Sequence, residues 1–384
     1  MVYVLTRVSV NDLTRDNTTP VPWRFIVFNF LFSRLWILVV AGLSMLVINE
    51  GQFHVASRSA LDWLNQWDTR WYLSIIRGGY SYHPGMQSNV AFFPLYPMLV
   101  RVLSLGGALD HRIAGYLVSL GALFVATVAL WKLARLELGD GADANRCIQF
   151  LLFAPPGVFF SSIYPESLFL ASLVGSLYFA RTQRWLLAGL CGYAAGLTRT
   201  VSVLLAIPLV LEYLLQQRGR FDLRRAETWR VLLCCSLPAL GLLTYMGYLG
   251  WAFGDPFASS KAQAVWARHL NWPWFPFFHL NHYDPFYRTW FVCFAIVAAA
   301  LFILGLWWRL RPSYLVLLFI FMLIYLSSNR LESLPRYMSV LFPFYFVLAL
   351  IARKWPNLTT PLFVAFGGLQ ALSVILFVND YWFT

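Results

Sequence analysis

The chain's clearest chemical signal is a carboxylate set among tryptophans. Residues Leu61–Pro97 read LDWLNQWDTRWYLSIIRGGYSYHPGMQSNVAFFPLYP, with Trp67-Asp68, Trp71-Tyr72 and Gly78-Gly79-Tyr80 at the centre. A poorly solvated carboxylate can act as a general base on a hydroxyl. Asp68 therefore reads as a base for an acceptor hydroxyl, or as a loop pin paired with Arg70 or Arg77. Glu166 follows Pro165 and reads as an acceptor for sugar hydroxyls, a metal ligand, or a helix cap stabilised by the dipole. Arg199 and Arg336 stand in apolar stretches, where an ionisable side chain is costly and either functional or paired. A guanidinium grips a phosphate with two parallel bonds. These arginines read as the phosphate site for a lipid-linked donor, or as salt-bridge partners of Glu166 or Glu332. Trp67, Trp71, Tyr72 and Tyr80 could stack on sugar faces, or belong to an interfacial aromatic belt. Tyr164, beside Glu166, is grouped with the sugar and acceptor contacts. His83, His269, His279 and His282 fit no zinc spacing and read as solvated loop residues. Cys147, Cys191, Cys234, Cys235 and Cys293 lie in apolar runs and read as packing residues. No metal site is assigned, although Glu166 leaves a divalent ion open.

A membrane scaffold must position these groups. Of 384 residues, 59% are hydrophobic and 12% charged, with a mean hydropathy of +0.63. Soluble domains carry about 25% charged residues. The deficit runs along the whole chain, and the apolar runs are too long for barrel strands. The expected class is an all-α polytopic transmembrane bundle. The net charge of +12 fits cytoplasmic loops and anionic lipid, and no nucleic-acid signature is present. No Walker motif or dinucleotide glycine fingerprint occurs, which argues against an ATP-driven pump. A nucleotide-sugar domain has no room here, so a donor delivered by the membrane is the consistent choice. Residues 1–23 are mixed polar and precede an uncut apolar run, so no cleavable signal is expected.

Placing basic clusters in the cytoplasm gives roughly eleven spans. They are Phe25–Ile48, Ile113–Trp131, Cys147–Ser162, Leu168–Ala180, Trp185–Leu197, Val201–Leu215, Val231–Trp251, Trp290–Trp308, Ser313–Ser327, Tyr337–Ile351 and Pro361–Val378. Phe92–Leu105 is short and proline-marked, and is expected at the interface rather than across it. The whole chain, 1–384, then forms one integral-membrane domain. A first external loop covers 49–112, with re-entrant or interfacial helices, and a second covers 252–289. Trp67-Asp68, Tyr164–Ser167, Thr198–Thr200, Gly254–Arg288 and Ser333–Tyr337 all fall at external ends of spans. The glycosylation patterns at Asn17 and Asn357 fall on the cytoplasmic side and are discounted.

Trp67-Asp68 with Trp71-Tyr72-Leu73 and Gly79-Tyr80, then Ala91-Phe92-Phe93-Pro94-Leu95-Tyr96-Pro97, resembles the PIG-V mannosyltransferase family. Tyr164-Pro165-Glu166-Ser167-Leu168-Phe169, Leu197-Thr198-Arg199 and Pro335-Arg336-Tyr337 resemble its later motifs, in the same order. The resemblance implies a GT-C glycosyltransferase fold, whose large first external loop carries the acidic catalytic residue. It implies a polyprenyl-phosphate sugar donor such as dolichyl-phosphate mannose, an α-1,6 linkage and no cofactor. Carried over, Asp68 takes the catalytic acidic position and Glu166 the second acidic one. The implied reaction moves a mannosyl residue to a glycan or glycolipid hydroxyl on the non-cytoplasmic face, by inverting single displacement. Chain length and the arginine-heavy basic set suggest a prokaryotic member with an undecaprenyl-type carrier, which puts a GPI acceptor in question. Two rivals stand beside this reading. One is a lipid-glycan flippase, which should keep its charges in mid-membrane helices. The other is a GT-C transferase for another sugar.

Overall fold

The computed structural model describes residues 20–48, 59–219, 222–266 and 269–381. His54, Asn17 and Arg220 lie outside those residues. In chain order the helices are α1 (Trp23–Val47), α2 (Thr69–Gly78), α3 (Leu95–Leu103), α4 (His111–Leu138), α5 (Gly141–Leu152), α6 (Glu166–Arg181), α7 (Trp185–Gly196) and α8 (Ala206–Gln216). There follow, apart from the four-residue turn of helix Phe275–Phe278, α9 (Ala226–Phe253), α10 (Ala258–Ala264), α11 (Pro285–Trp307), α12 (Pro312–Leu326), α13 (Leu334–Ser339), α14 (Pro343–Lys354) and α15 (Thr359–Val378). Among the described residues there is no sheet, only an isolated bridge between Leu270 and Ser328. Among the described residues, five segments are long and apolar enough to cross a bilayer: α1, α4, α9, α11 and Pro356–Val378, which contains α15. This is the all-helical, multi-pass pattern that the composition predicts.

Proline breaks two of the expected spans. The run Cys147–Ser162 is not one helix: α5 stops at Leu152, and Gly157–Phe160 continues as a 3-10 turn. Pro155-Pro156 cannot feed the helical ladder, and the residue before a proline is pushed out of helical geometry. The run Tyr337–Ile351 is likewise divided, with α13 ending at Ser339 and α14 starting at Pro343. The nine-residue α3 is about 13 Å long, far short of a crossing.

The carbonyls freed at the first break are taken up by two other helices. The Arg34 guanidinium of α1 donates to Leu152 O at 2.7 Å and to Ser161 Oγ at 2.7 Å. Gln370 of α15 donates to Leu152 O at 3.1 Å and Ala154 O at 3.0 Å. A Cβ at Gly157 would collide with the Gln370 amide, which explains a glycine there.

A glycine face sets the pairing of α7 with α9. A Cβ at Gly192 would sit 2.6 Å from Pro238 Cγ, and one at Gly196 would meet the Pro238 carbonyl oxygen. The helices therefore touch backbone to backbone, as small residues permit in membranes. Arg199 lies three residues past Gly196 and is placed by this contact. Gly196→Ala is expected to force the helices apart at a cost of about 1–3 kcal/mol. Thermal unfolding in detergent measures that loss.

A buried ionic cluster fastens the far end of the bundle. Glu212 of α8 is fully buried and accepts from Arg311 at 2.6 and 2.8 Å and from Ser313 Oγ at 2.8 Å. Arg181, at the end of α6, pairs with Glu137 of α4 and reaches Glu212 at 3.4 Å. Four helices meet at these side chains, so removing one member strands charge away from water. Glu212→Ala is expected to destabilise the protein by about 3–5 kcal/mol, read as a lowered unfolding midpoint. This cluster lies about 22 Å from the start of α6, at fifteen helical rises.

Candidate active site

The other end of α6 carries the site. Asp68 is the N-cap residue of α2, and its carbonyl accepts from Trp71 N at 2.9 Å and Tyr72 N at 3.2 Å. The preceding Trp67 has φ 56°, a left-handed conformation that costs a bulky residue about 1–2 kcal/mol. Gly79, at φ 81°, ends α2 where only glycine turns freely. Asn89 then braces the returning loop: it accepts from Ser81 N at 2.7 Å and donates to Gly79 O at 3.1 Å. Arg112 holds the loop from outside by bridging Asp62 and Asp110, each at 2.9 Å. Its side-chain hydrogen bond draws the Asp110 carboxyl down to about 2. Glu166 opens α6 directly after Pro165, where the helix dipole favours negative charge. Arg336 comes from α13, whose N-cap Ser333 has φ 70° and whose second residue is Pro335.

These pieces converge into two carboxylates interleaved with two guanidiniums. Arg336 Nη1 lies 2.9 Å from Asp68 Oδ2, and its Nε lies 3.4 Å from Glu166 Oε1. Arg199 pairs with the same Glu166 oxygen. Both guanidiniums lie over the ring of Tyr337, at 4.6 Å for Arg199 and 5.1 Å for Arg336. Arg336 also faces Tyr164 at 5.3 Å and Phe159 at 5.4 Å. The formal charges cancel, which makes burial tolerable. Access is uneven: the Glu166 side chain is 0% exposed and Arg336 8%, whereas Asp68 is 23% exposed. Asp68 is thus the carboxylate a ligand can reach, and Glu166 sits behind the arginines. Glu166 Oε2 is buried without a hydrogen-bond partner.

The structure brings Asp68, Glu166, Arg199, Arg336 and Tyr164 together. Asp68 pairs with Arg336 rather than with the nearby Arg70 or Arg77, and the suggested Arg199–Glu166 bridge is present. Trp67 is partly buried against the main core. Trp71 stacks on Phe92 at 6.0 Å and meets Trp266 edge-on at 5.6 Å. Tyr72 is 6% exposed, and its ring is shared among Phe92, Tyr96 and Tyr164. Tyr80 lies in a separate cluster with Tyr245 and Tyr248, its hydroxyl donating to Phe92 O at 2.9 Å. The described residues of 254–266 and 269–288 pack at the same end. Trp266 covers Trp71, Asn271 N donates to Ser327 O at 2.6 Å, and Tyr283 donates to Glu332 at 3.1 Å. Among the described residues no three His, Cys, Asp or Glu side chains gather to hold a metal ion.

Sequence reasoning left Tyr337 and Phe159 out of the site. The first was visible only as the neighbour of Arg336 in its motif; the second carried no signal within its apolar run.

Fold and site together define a multi-pass helical membrane protein with a charged centre at one end of its bundle. The family model described as "Mannosyltransferase (PIG-V)" matches residues 30–233, more than half of the chain, and the chain belongs to that family. Asp68, Glu166 and Arg199 fall inside the matched region, and Arg336 beyond it. A curated relative, GPI mannosyltransferase 2 of Drosophila pseudoobscura pseudoobscura, is 31% identical over 119 residues. That stretch is 29% of this chain and 25% of the relative, so the likeness spans a quarter of that protein's length.

Proposed function

We propose that this chain is a membrane mannosyltransferase that takes its sugar from a polyprenyl phosphate and delivers it to a glycan or glycolipid hydroxyl. The carrying observation is the ligand-accessible Asp68 joined to Arg336, with Arg199 beside it. Family membership supports mannose as the sugar, and we propose an α-1,6 linkage. The scaffold we propose is a GT-C bundle of roughly eleven crossings, with the charged end on the non-cytoplasmic face. The carrier is of the undecaprenyl type in a prokaryotic plasma membrane.

In this reaction the Asp68 carboxylate, through the oxygen not held by Arg336, takes the proton of the acceptor hydroxyl. The acceptor oxygen bonds to the anomeric carbon from the face opposite the phosphate, as water does in an inverting glycoside hydrolase. The carbon–oxygen bond to phosphate breaks, and its electron pair leaves on the phosphate oxygen. Arg336 and Arg199 stabilise that departing charge in a water-poor setting. Trp67 and Trp71 flank the acceptor beside the base. Glu166 completes the charge balance behind the arginines.

The test uses purified protein in liposomes with radiolabelled polyprenyl-phosphate mannose and a panel of glycolipid acceptors. Covalent labelling of an acceptor is expected, with none from GDP-mannose alone. Label carried across the bilayer without a new glycosidic bond would instead identify a flippase. Transfer from GDP-mannose in the absence of lipid carrier would overturn the proposed donor.

A further inference from the structure

We infer that Tyr164 is a positioning residue for Asp68 and not a sugar contact; this rests on the reading of Asp68 as the base. One phenolic oxygen serves both sides of a strained residue. The Asp68 N–H donates to Tyr164 Oη at 3.0 Å, and the Tyr164 hydroxyl donates to Gln66 O at 3.0 Å. Trp67, at φ 56°, is bracketed between these two bonds. Such a conformation persists only where its surroundings over-determine it. The ring has no face for a ligand. It is 1% exposed, edge-on to Phe159 at 5.1 Å, and overlain by the Arg336 guanidinium at 5.3 Å.

Tyr164 also stands two residues before Glu166. It therefore ties the backbone that presents the base to the start of the helix that carries the buried carboxylate. The carboxylate of Asp68 and the guanidinium of Arg336 are held in register by one side chain, through its hydroxyl on one side and its ring on the other. Reacting groups need placement to within a fraction of an ångström, and a shift of 1 Å can cost about a hundredfold in rate. A hydroxyl that touches no substrate is thus a determinant of turnover.

Tyr164→Phe keeps the ring and removes both bonds. The expected result is a kcat lower by about a hundredfold, with the KM for polyprenyl-phosphate mannose little changed. Tyr245→Phe is the matched control: it deletes a buried hydroxyl that donates to Val90 O at 2.8 Å, away from Asp68. It should lower the unfolding midpoint as Tyr164→Phe does and leave kcat unchanged. Wild-type kcat in Tyr164→Phe, or equal kcat losses in the two variants, overturns the inference. Hydrogen exchange on the wild-type protein gives a second arm, because the Asp68 amide should be protected well beyond a water-exposed loop amide. Exchange at an unprotected rate also overturns it. If Asp68→Asn abolishes transfer while Tyr164→Phe does not, only the positioning role fails. If Asp68→Asn keeps transfer, the base reading fails first.

Discussion

Asp68→Asn is expected to lower mannosyl transfer by about 10²–10⁴-fold, the usual contribution of a general base. The substitution is close to isosteric, and its amide oxygen can still accept from Arg336 at the present 2.9 Å. The fold and the arginine pair should persist, so donor binding should be retained. The lost function is proton acceptance from the incoming hydroxyl. Single-turnover assays with labelled donor separate that step from binding. Near-normal turnover in folded Asp68→Asn would remove the base from the mechanism, whatever else the site does.

Arg336→Ala is expected to act on both stability and rate. The wild-type guanidinium touches Asp68 and Glu166 and also donates to Ser333 Oγ at 3.1 Å. Deleting it leaves Arg199 as the remaining cation against two carboxylates, one of them fully buried. Breaking a buried pair in this way costs about 3–5 kcal/mol. Loss of phosphate stabilisation should lower kcat by a further factor of about 10²–10³. Arg336→Lys retains the charge but not the planar fork, so it should recover much of the stability and less of the rate. A lysine variant with full activity would show that a point charge suffices and that bidentate contact has no part.

Much of the architecture was legible because burial in lipid demands long apolar runs, and those are read directly. The gathering of Asp68, Glu166, Arg199 and Arg336 followed from placing the basic clusters on one side. Partner identity was not legible. Asp68 pairs with a residue 268 positions away, whereas the chain near it offered Arg70 and Arg77 as plausible alternatives. What covers the faces of Tyr72 and Tyr164 was not legible either, because composition reports an aromatic ring and not its neighbours. The breaks at Pro155-Pro156 and Pro343 were written in the sequence, yet hydropathy averages straight through a proline. Arg34 was a missed signal: an arginine inside the first apolar run needs a partner, and its partners turn out to be the Leu152 carbonyl and the Ser161 hydroxyl.

That arrangement bears on how the nascent chain becomes a folded protein. Arg34 leaves the ribosome with α1, and its carbonyl acceptor at Leu152 follows 118 residues later. Gln370, which shares that carbonyl, arrives 218 residues after Leu152. An arginine at the middle of an isolated helix costs about 2.5–3.5 kcal/mol on translocon-insertion scales. Until α5 emerges, α1 is expected to keep that arginine near the head groups by snorkelling. Its polar plug closes only when α15 docks, so this contact forms after the segments that carry the chemistry have been made.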